Sequence, residues 1–204
     1  PRPKPRTCWS IAKKRWYHLR HKLTRGRVIR PRKMAATIYP EVLKAPPPSG
    51  DRLAILVPVR NGADHIEFFL KAIATLDLPK DRIKLVFCEG DSTDGTPERL
   101  TELAEKLRGE YRDIRVLHKP LGNKIPQNKR WKGSYQRVRR STIAKVRNHL
   151  IDHGLDDTDD WAMWIDIDMW RFPPDIFAQL RQTDARIVTP NAVRVPGGAS
   201  FDLN

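Results

Sequence analysis

Two carboxylates, Asp166 and Asp168, stand two residues apart near the end of the apolar run Trp161-Ala162-Met163-Trp164-Ile165-Asp166-Ile167-Asp168-Met169-Trp170. A run of this length, mostly aromatic and aliphatic, reads as a buried strand. On a regular strand the two carboxylates point to the same face, about 6.6 Å apart at roughly 3.3 Å per residue. Like charges at the rim of an apolar strand repel and lose solvent, so they need a compensating cation or a raised pKa. The separation is too wide for both groups to chelate one ion through short bonds. One carboxylate gripping a divalent ion, with the other holding a neighbouring ligand group or a bound water, fits better. A pair of this spacing also occurs as plain strand capping or turn chemistry, so its surroundings must decide.

Those surroundings alternate strands with helices. Leu53-Ala54-Ile55-Leu56-Val57 is a continuous apolar strand ended by Pro58, and Ile66, Phe69, Leu70 and Ile73 then recur at helical spacing. Residues 83–89 form a second buried strand, followed by a polar turn from Gly90 to Gly95. Thr96 fits an N-cap with Pro97 at the first helical position, and Leu100, Leu103, Ala104 and Leu107 line one face of that helix. A short strand covers 114–118, a basic loop 119–139, and a helix roughly 142–152. After the carboxylate strand come a helix opening near Pro174 and a strand at 186–189. This order predicts an α/β fold with a mainly parallel sheet flanked by helices.

Charge divides the 204 residues in two. Residues 1–50 hold 14 Lys and Arg against the single acid Glu41, whereas the rest holds 25 basic and 23 acidic side chains. Residues 1–50 are therefore expected to be a basic, Pro-rich, largely disordered leader, and 51–204 one folded domain. Within the leader, Trp9, Ala12, Trp16, Leu19 and Leu23 recur at spacings of three and four among lysines and arginines, a pattern suited to an anionic membrane surface. The nearly neutral domain gives no reason to expect nucleic-acid binding. No stretch approaches the roughly 18 consecutive apolar residues of a membrane-spanning helix. Cys8 and Cys88 make neither a disulfide framework nor a metal cluster, and Cys88 reads as a small core residue. Both termini read as cut or processed, so a fragment truncated at its C-terminus is expected.

Polar residues gather at the carboxyl ends of the expected strands, where open α/β sheets collect ligands. The first strand runs into Pro58-Val59-Arg60-Asn61 and the second into Glu89-Gly90-Asp91-Ser92-Thr93-Asp94-Gly95. A carboxylate at the end of the second strand could accept from a base N–H or a ribose hydroxyl, although Asp91 and Asp94 also fit ordinary turn chemistry. Arg147 lies four residues after Ile143 and three before Leu150, on the apolar face of its helix. A guanidinium there needs an anion, either a protein carboxylate or a bound phosphate.

The ordered set Pro58-Val59-Arg60-Asn61, Glu89-Gly90-Asp91-Ser92-Thr93-Asp94, Arg147-Asn148, Trp164-Ile165-Asp166-Ile167-Asp168 and Pro173-Pro174 resembles the GT-A glycosyltransferases. More narrowly it resembles the fungal mannan-polymerase subunit family (Anp1/Mnn9/Van1-like) and its bacterial relatives, and Gly197 to Asn204 resembles a segment of that family. The likeness covers roughly residues 51–204. It implies a GT-A, Rossmann-like sheet, a nucleotide-sugar donor, usually GDP-mannose, a divalent metal, Mn2+ or Mg2+, and retention of anomeric configuration. It assigns donor binding to Pro58, Arg60, Asn61, Glu89 and Asp91, of which Arg60, Glu89 and Asp91 would face the nucleoside. Arg147, Asn148 and Asp166 complete the donor set. Asp168 would bind the metal, with Asp166 on the ribose or on a metal-bound water; the catalytic residue itself stays unassigned.

The chemistry agrees with that implication. Breaking a sugar–phosphate bond develops charge on the diphosphate, which a divalent cation and Arg147 could stabilise. The implied partners are a glycan acceptor and related subunits. The implied place is the cytoplasm or inner-membrane surface for a bacterial protein, and the Golgi lumen for a fungal homologue without its anchor. A non-catalytic glycosyltransferase-like subunit is the alternative. A phosphatase using Asp-X-Asp fits poorly, because that pair normally sits on the first strand and is followed by a hydroxyl residue, not by Met169-Trp170.

Overall fold

The computed structural model describes residues 51–122, 133–182 and 185–190. Alternation along two central strands sets its layers. In β1 (Leu53–Val59), Leu53, Ile55, Val57 and Val59 pack with Ile83, Leu85 and Phe87 of β2 (Ile83–Glu89) on one face of the sheet. The helices α1 (Ile66–Ile73) and α2 (Thr96–Lys106) cover that face with Phe69, Ile73, Leu100 and Leu103. Leu56, Val86 and Cys88 point the other way, under Val146 and Leu150 of α3 (Gly133–Gly154). A sheet buried on both faces needs near-continuous apolar strands, which is why β1 and β2 show no polar alternation and carry only Lys84 and Glu89 as charged residues. Burial, followed by the neighbouring Glu89 charge, pushes the Cys88 thiol up to about 11, as suits an inert core residue.

With β3 (Asp113–His118) and β4 (Trp161–Trp164), the strands form one sheet in the order β3-β2-β1-β4, every neighbouring pair parallel. A final short helix, α4 (Ile176–Leu180), adds Phe177 to the first core. The expected α/β architecture is the one observed. Among the described residues no helix is long and apolar enough to cross a membrane.

Four local expectations are corrected. Pro58 lies within β1, paired with Cys88 in the register, and does not end the strand. The Leu56 carbonyl accepts from Ile165 N–H and the Val59 carbonyl from Gly90 N–H, so the alternating backbone turns the Pro58 nitrogen toward β4, beyond the last β1–β4 pair at Leu56 and Trp164. The missing N–H therefore interrupts no ladder bond. Second, α3 begins at Gly133, so residues 133–139 are helix and not loop. Third, the cap of α2 is Gly95, at φ 77°. The Thr96 hydroxyl instead accepts from Gly62 N–H at 2.9 Å and donates to Asp94. Fourth, residues 185–190 form no strand, and Ile187 is 89% exposed. The leader, residues 1–50, and the Gly197–Asn204 resemblance lie outside the described residues.

The amino ends of the strands are pinned by charge, a feature the sequence reading did not single out. Lys84, fully buried near the start of β2, donates to Asp156 Oδ2 at 3.0 Å and also bonds Asp159. Arg112 pairs with Asp159, and Arg115 Nη2 reaches Asp156 Oδ2 at 2.7 Å. Hydrogen bonds from Arg115 and then Lys84 hold the Asp156 carboxyl down at about 2. Both aspartates belong to the α3–β4 link, so this network fixes where β4 enters beside β1.

Candidate functional site

The chain steps from β1 through β2 to β3 in one direction, then returns through α3 to lay β4 against the opposite side of β1. The carboxyl ends of β1 and β4 thus flank a topological switch point, the preferred ligand position of open α/β sheets. A cleft of about 250 Å³ opens there. Pro58 and Arg60 line it from β1, Asp166 and Asp168 from beyond β4, and Arg139 and Arg147 from α3. A larger hollow of about 710 Å³ runs between α2 and β3, with Glu89 and His118 among its lining residues. The smaller cleft is the one that combines the switch point with the paired carboxylates and a cluster of cations.

Asp166 and Asp168 do not sit on a regular strand. β4 ends at Trp164, Ile165 N–H still bonds the Leu56 carbonyl, and a turn closed by Met169 N–H on the Asp166 carbonyl at 2.9 Å follows. Alternation nevertheless survives into the turn. Ile165 and Ile167 are buried while Asp166 and Asp168 are exposed, so apolar anchoring pushes both carboxylates outward. Gly62 lets the loop after β1 approach this turn. A Cβ there would lie 2.9 Å from Val59 Cγ1 and 3.2 Å from Ile167 Cγ2.

Arg147 also departs from expectation. The buried stripe of α3 runs through Val146 and Leu150, and Arg147 lies beside it with 43% of its side chain exposed. Its Cζ stacks 5.2 Å from the Trp164 ring centroid, Nη2 lies 3.5 Å from Asp166 Oδ1, and Nε is buried without a hydrogen-bond partner. The charge is therefore met at the cleft rim and not from inside the fold.

The loops after β1 and β2 brace each other. Asn61, at φ 51°, accepts from Thr93 N–H at 2.9 Å, and its own N–H donates to Ser92 Oγ at 3.0 Å. Asp94 Oδ2 accepts from Ala63 N–H at 3.1 Å. Desolvation pushes the Asp94 carboxyl up, but hydrogen bonds from Thr96 and Ala63 outweigh it and leave the group below its usual range. Asp91, at φ 58°, accepts from the N–H groups of Leu121 and Gly122, each at 3.1 Å. Glu89 accepts from Ser92 N–H at 2.8 Å and pairs with His118 at 2.6 Å.

Of the residues singled out from sequence, the cleft brings together Pro58, Arg60, Arg147, Asp166 and Asp168. Asn61, Glu89 and Asp91 support the neighbouring loops, and Asn148 is exposed on α3 outside the cleft lining. Arg139 and Thr142 were missed. Steps of three and four link Arg139 to Thr142 and, through Ile143, to Arg147, but Arg139 joins this helix only once α3 is known to begin at Gly133.

Among the described residues no group of three or more His, Cys, Asp or Glu could cage a metal ion. A pair of outward carboxylates does fit a hard cation that takes its remaining ligands from phosphate and water. The donor set is all oxygen, and the buried Nε of Arg147 beside it has capacity for an anion.

Residues 44–204 match the Anp1 family model. The chain is 28% identical over 153 residues to the mannan polymerase II complex ANP1 subunit of Saccharomyces cerevisiae, covering 71% of this chain and 31% of that protein. It is 26% identical over 152 residues to the anp1 subunit of Schizosaccharomyces pombe, covering 71% and 35%. The chain thus spans about a third of the length of these relatives. Mouse procollagen galactosyltransferase 2 is 25% identical over 149 residues, covering 71% and 23%. Among solved structures, the chain is similar to the mannosyltransferase PcManGT of Pyrobaculum calidifontis in complex with GDP-Man and Mn2+, at 19% identity and a TM-score of 0.49, covering 85% of this chain and 40% of that one. The family match extends over most of the sequence and includes every residue of the cleft: the chain belongs to the Anp1 family.

Proposed function

We propose that residues 51–204 form the donor-binding part of a metal-dependent glycosyltransferase, moving mannose from GDP-mannose to a glycan acceptor with retention of configuration. The observation that carries this reading is the gathering of Asp166, Asp168, Arg60, Arg139 and Arg147 around one cleft at the switch point. Relatives named as mannan polymerase subunits support the choice of sugar.

Asp168, assisted by Asp166, would hold a divalent ion, Mn2+ or Mg2+, which when bound stabilises the charge of a departing diphosphate. The chain's own cations share that task. Arg60, Arg139 and Arg147 raise the positive potential of the cleft and draw an anionic donor toward it. The planar guanidinium of Arg147, steadied on Trp164, can present two N–H groups to a phosphate oxygen pair. Val59, Val146 and Ile167 supply an apolar lining that lowers water access and strengthens these contacts. In a front-face reaction the leaving phosphate accepts the acceptor's proton, so the residues nearest the phosphate matter more than a separate base.

Calorimetric titration with GDP-mannose, with Mn2+ and then with EDTA, tests the reading, alongside mannose transfer to a mannobiose acceptor. Metal-dependent binding with transfer is the expected result; equal binding in EDTA refutes it. The second reading is a donor-binding subunit without turnover, favoured because the relatives are named as subunits of complexes. Binding without transfer identifies that case.

A further inference from the structure

Glu89 ends β2 with its side chain 1% exposed and both oxygens engaged. Oε1 accepts from Ser92 N–H at 2.8 Å, and Oε2 faces His118 Nδ1 at 2.6 Å. His118 ends β3 directly opposite Glu89 in the register, yet 62% of its side chain is exposed. A carboxylate can only accept, so the proton of the ring sits on Nδ1 and the plane of the ring is set from below. On a neutral ring this leaves Nε2 as an acceptor, without a partner among the described residues.

The position is suited to the far end of a nucleotide. Strand neighbours lie about 4.8 Å apart, so the end of β2 is roughly 10 Å from the end of β4, where the carboxylate turn begins. A donor whose diphosphate lies at Asp168 extends its nucleoside over a distance of this order. Glu89 and His118 line the hollow beside α2, and the next residue, Gly90, lines the carboxylate cleft, so the end of β2 borders both spaces. Gly90 is constrained there, since a Cβ would lie 2.6 Å from the Lys119 carbonyl oxygen.

We infer that His118, oriented by Glu89, is a specificity-determining contact that accepts an N–H from the base edge of the donor nucleotide, guanine N1–H or N2–H being the fitting class. This rests on the donor-binding reading above and shifts the base contact from Glu89, whose oxygens are already engaged, to its partner.

The test compares GDP and inorganic pyrophosphate, each with Mn2+, by calorimetry on the full chain. His118→Ala is expected to weaken GDP about tenfold, the effect of one lost hydrogen bond, and to leave pyrophosphate within about twofold. Glu89→Gln supplies an independent arm. Ser92 N–H still requires an oxygen, so the amide nitrogen must face His118 Nδ1, which moves the ring proton to Nε2 and converts the acceptor into a donor. That variant is expected to weaken GDP comparably, with the tautomer change read from the ring nitrogen shifts. An unchanged ratio of GDP to pyrophosphate affinity in both variants overturns the inference while the donor site stands. Wild-type chain that binds neither probe overturns the donor reading and this inference together.

Discussion

Arg147 Nη2 stands 3.5 Å from Asp166 Oδ1 while the guanidinium lies over the Trp164 ring. The pair is half-exposed and at the outer limit of a hydrogen bond, so its contribution to stability is small. Stacking on Trp164 does more to hold the side chain in place. An arginine held this way can exchange Asp166 for an incoming phosphate without stranding a buried charge. Arg147→Ala is expected to change stability by less than about 1 kcal/mol. It is expected to reduce donor affinity about ten- to a hundredfold, the effect of losing a charge-assisted contact of about 1.5–3 kcal/mol. Arg147→Lys restores only part, because it lacks the planar fork. Melting temperature and GDP-mannose affinity, measured on the same samples, check this.

The carboxylate turn makes a separate forecast. Asp168→Asn is expected to weaken Mn2+-dependent donor binding at least as severely as Asp166→Asn. Both variants are expected to melt within a few degrees of the parent, because their side chains point outward from a turn anchored by Ile165 and Ile167. Titrations in Mn2+ and in EDTA measure it, and parental metal dependence in Asp168→Asn contradicts the assignment.

The charged network at the amino ends of the strands is structural and should respond differently. Asp159→Asn removes the negative charge shared by Lys84 and Arg112 and leaves Asp156 as the carboxylate facing the fully buried lysine. Breaking a buried pair from one side costs about 3–5 kcal/mol. Chemical denaturation is expected to show a loss of this size, with donor affinity in the remaining folded fraction close to parental.

Asp156 also sets an acid limit. Its carboxyl is held at about 2 in the fold against an ordinary value of 3.8. A depressed carboxylate stabilises the fold fully above its unfolded value, and the contribution fades as pH falls from 3.8 toward about 2. Asp156→Asn is therefore expected to lower the melting temperature at neutral pH and to flatten its decline below about pH 4. A parallel decline in both proteins contradicts this.

The basic leader can be tested by deletion. Its 14 Lys and Arg, with Trp9 and Trp16 in helical register, suggest attachment to anionic bilayers. Removing residues 1–48 is expected to abolish co-sedimentation with anionic vesicles and to leave the thermal transition almost unmoved. Continued sedimentation of the truncated chain places the membrane contact elsewhere.

Sequence alone determined the elements whose burial leaves a strong pattern. β2 was legible to the residue because a strand covered on both faces is apolar over most of its length, and β1 nearly so. The carboxylate pair and the polar strand ends stood out in the sequence as charged and polar groups closing apolar runs, a pattern that turn chemistry and ligand binding share. Tertiary structure alone decided what those groups touch. Arg147 satisfied the helical period of the buried face, but the packed stripe passes through Val146 and Leu150, and one step around the helix moves a side chain from core to rim. Glu89 and Asp91 looked alike as acids at a strand end. Only the β2–β3 register opposes Glu89 to His118, and only the return of the chain after β3 brings Leu121 and Gly122 to Asp91. The Lys84 network was hidden for the same reason: its partners lie 72 and 75 residues away, and pairing across that distance is set by topology, which local periodicity does not encode.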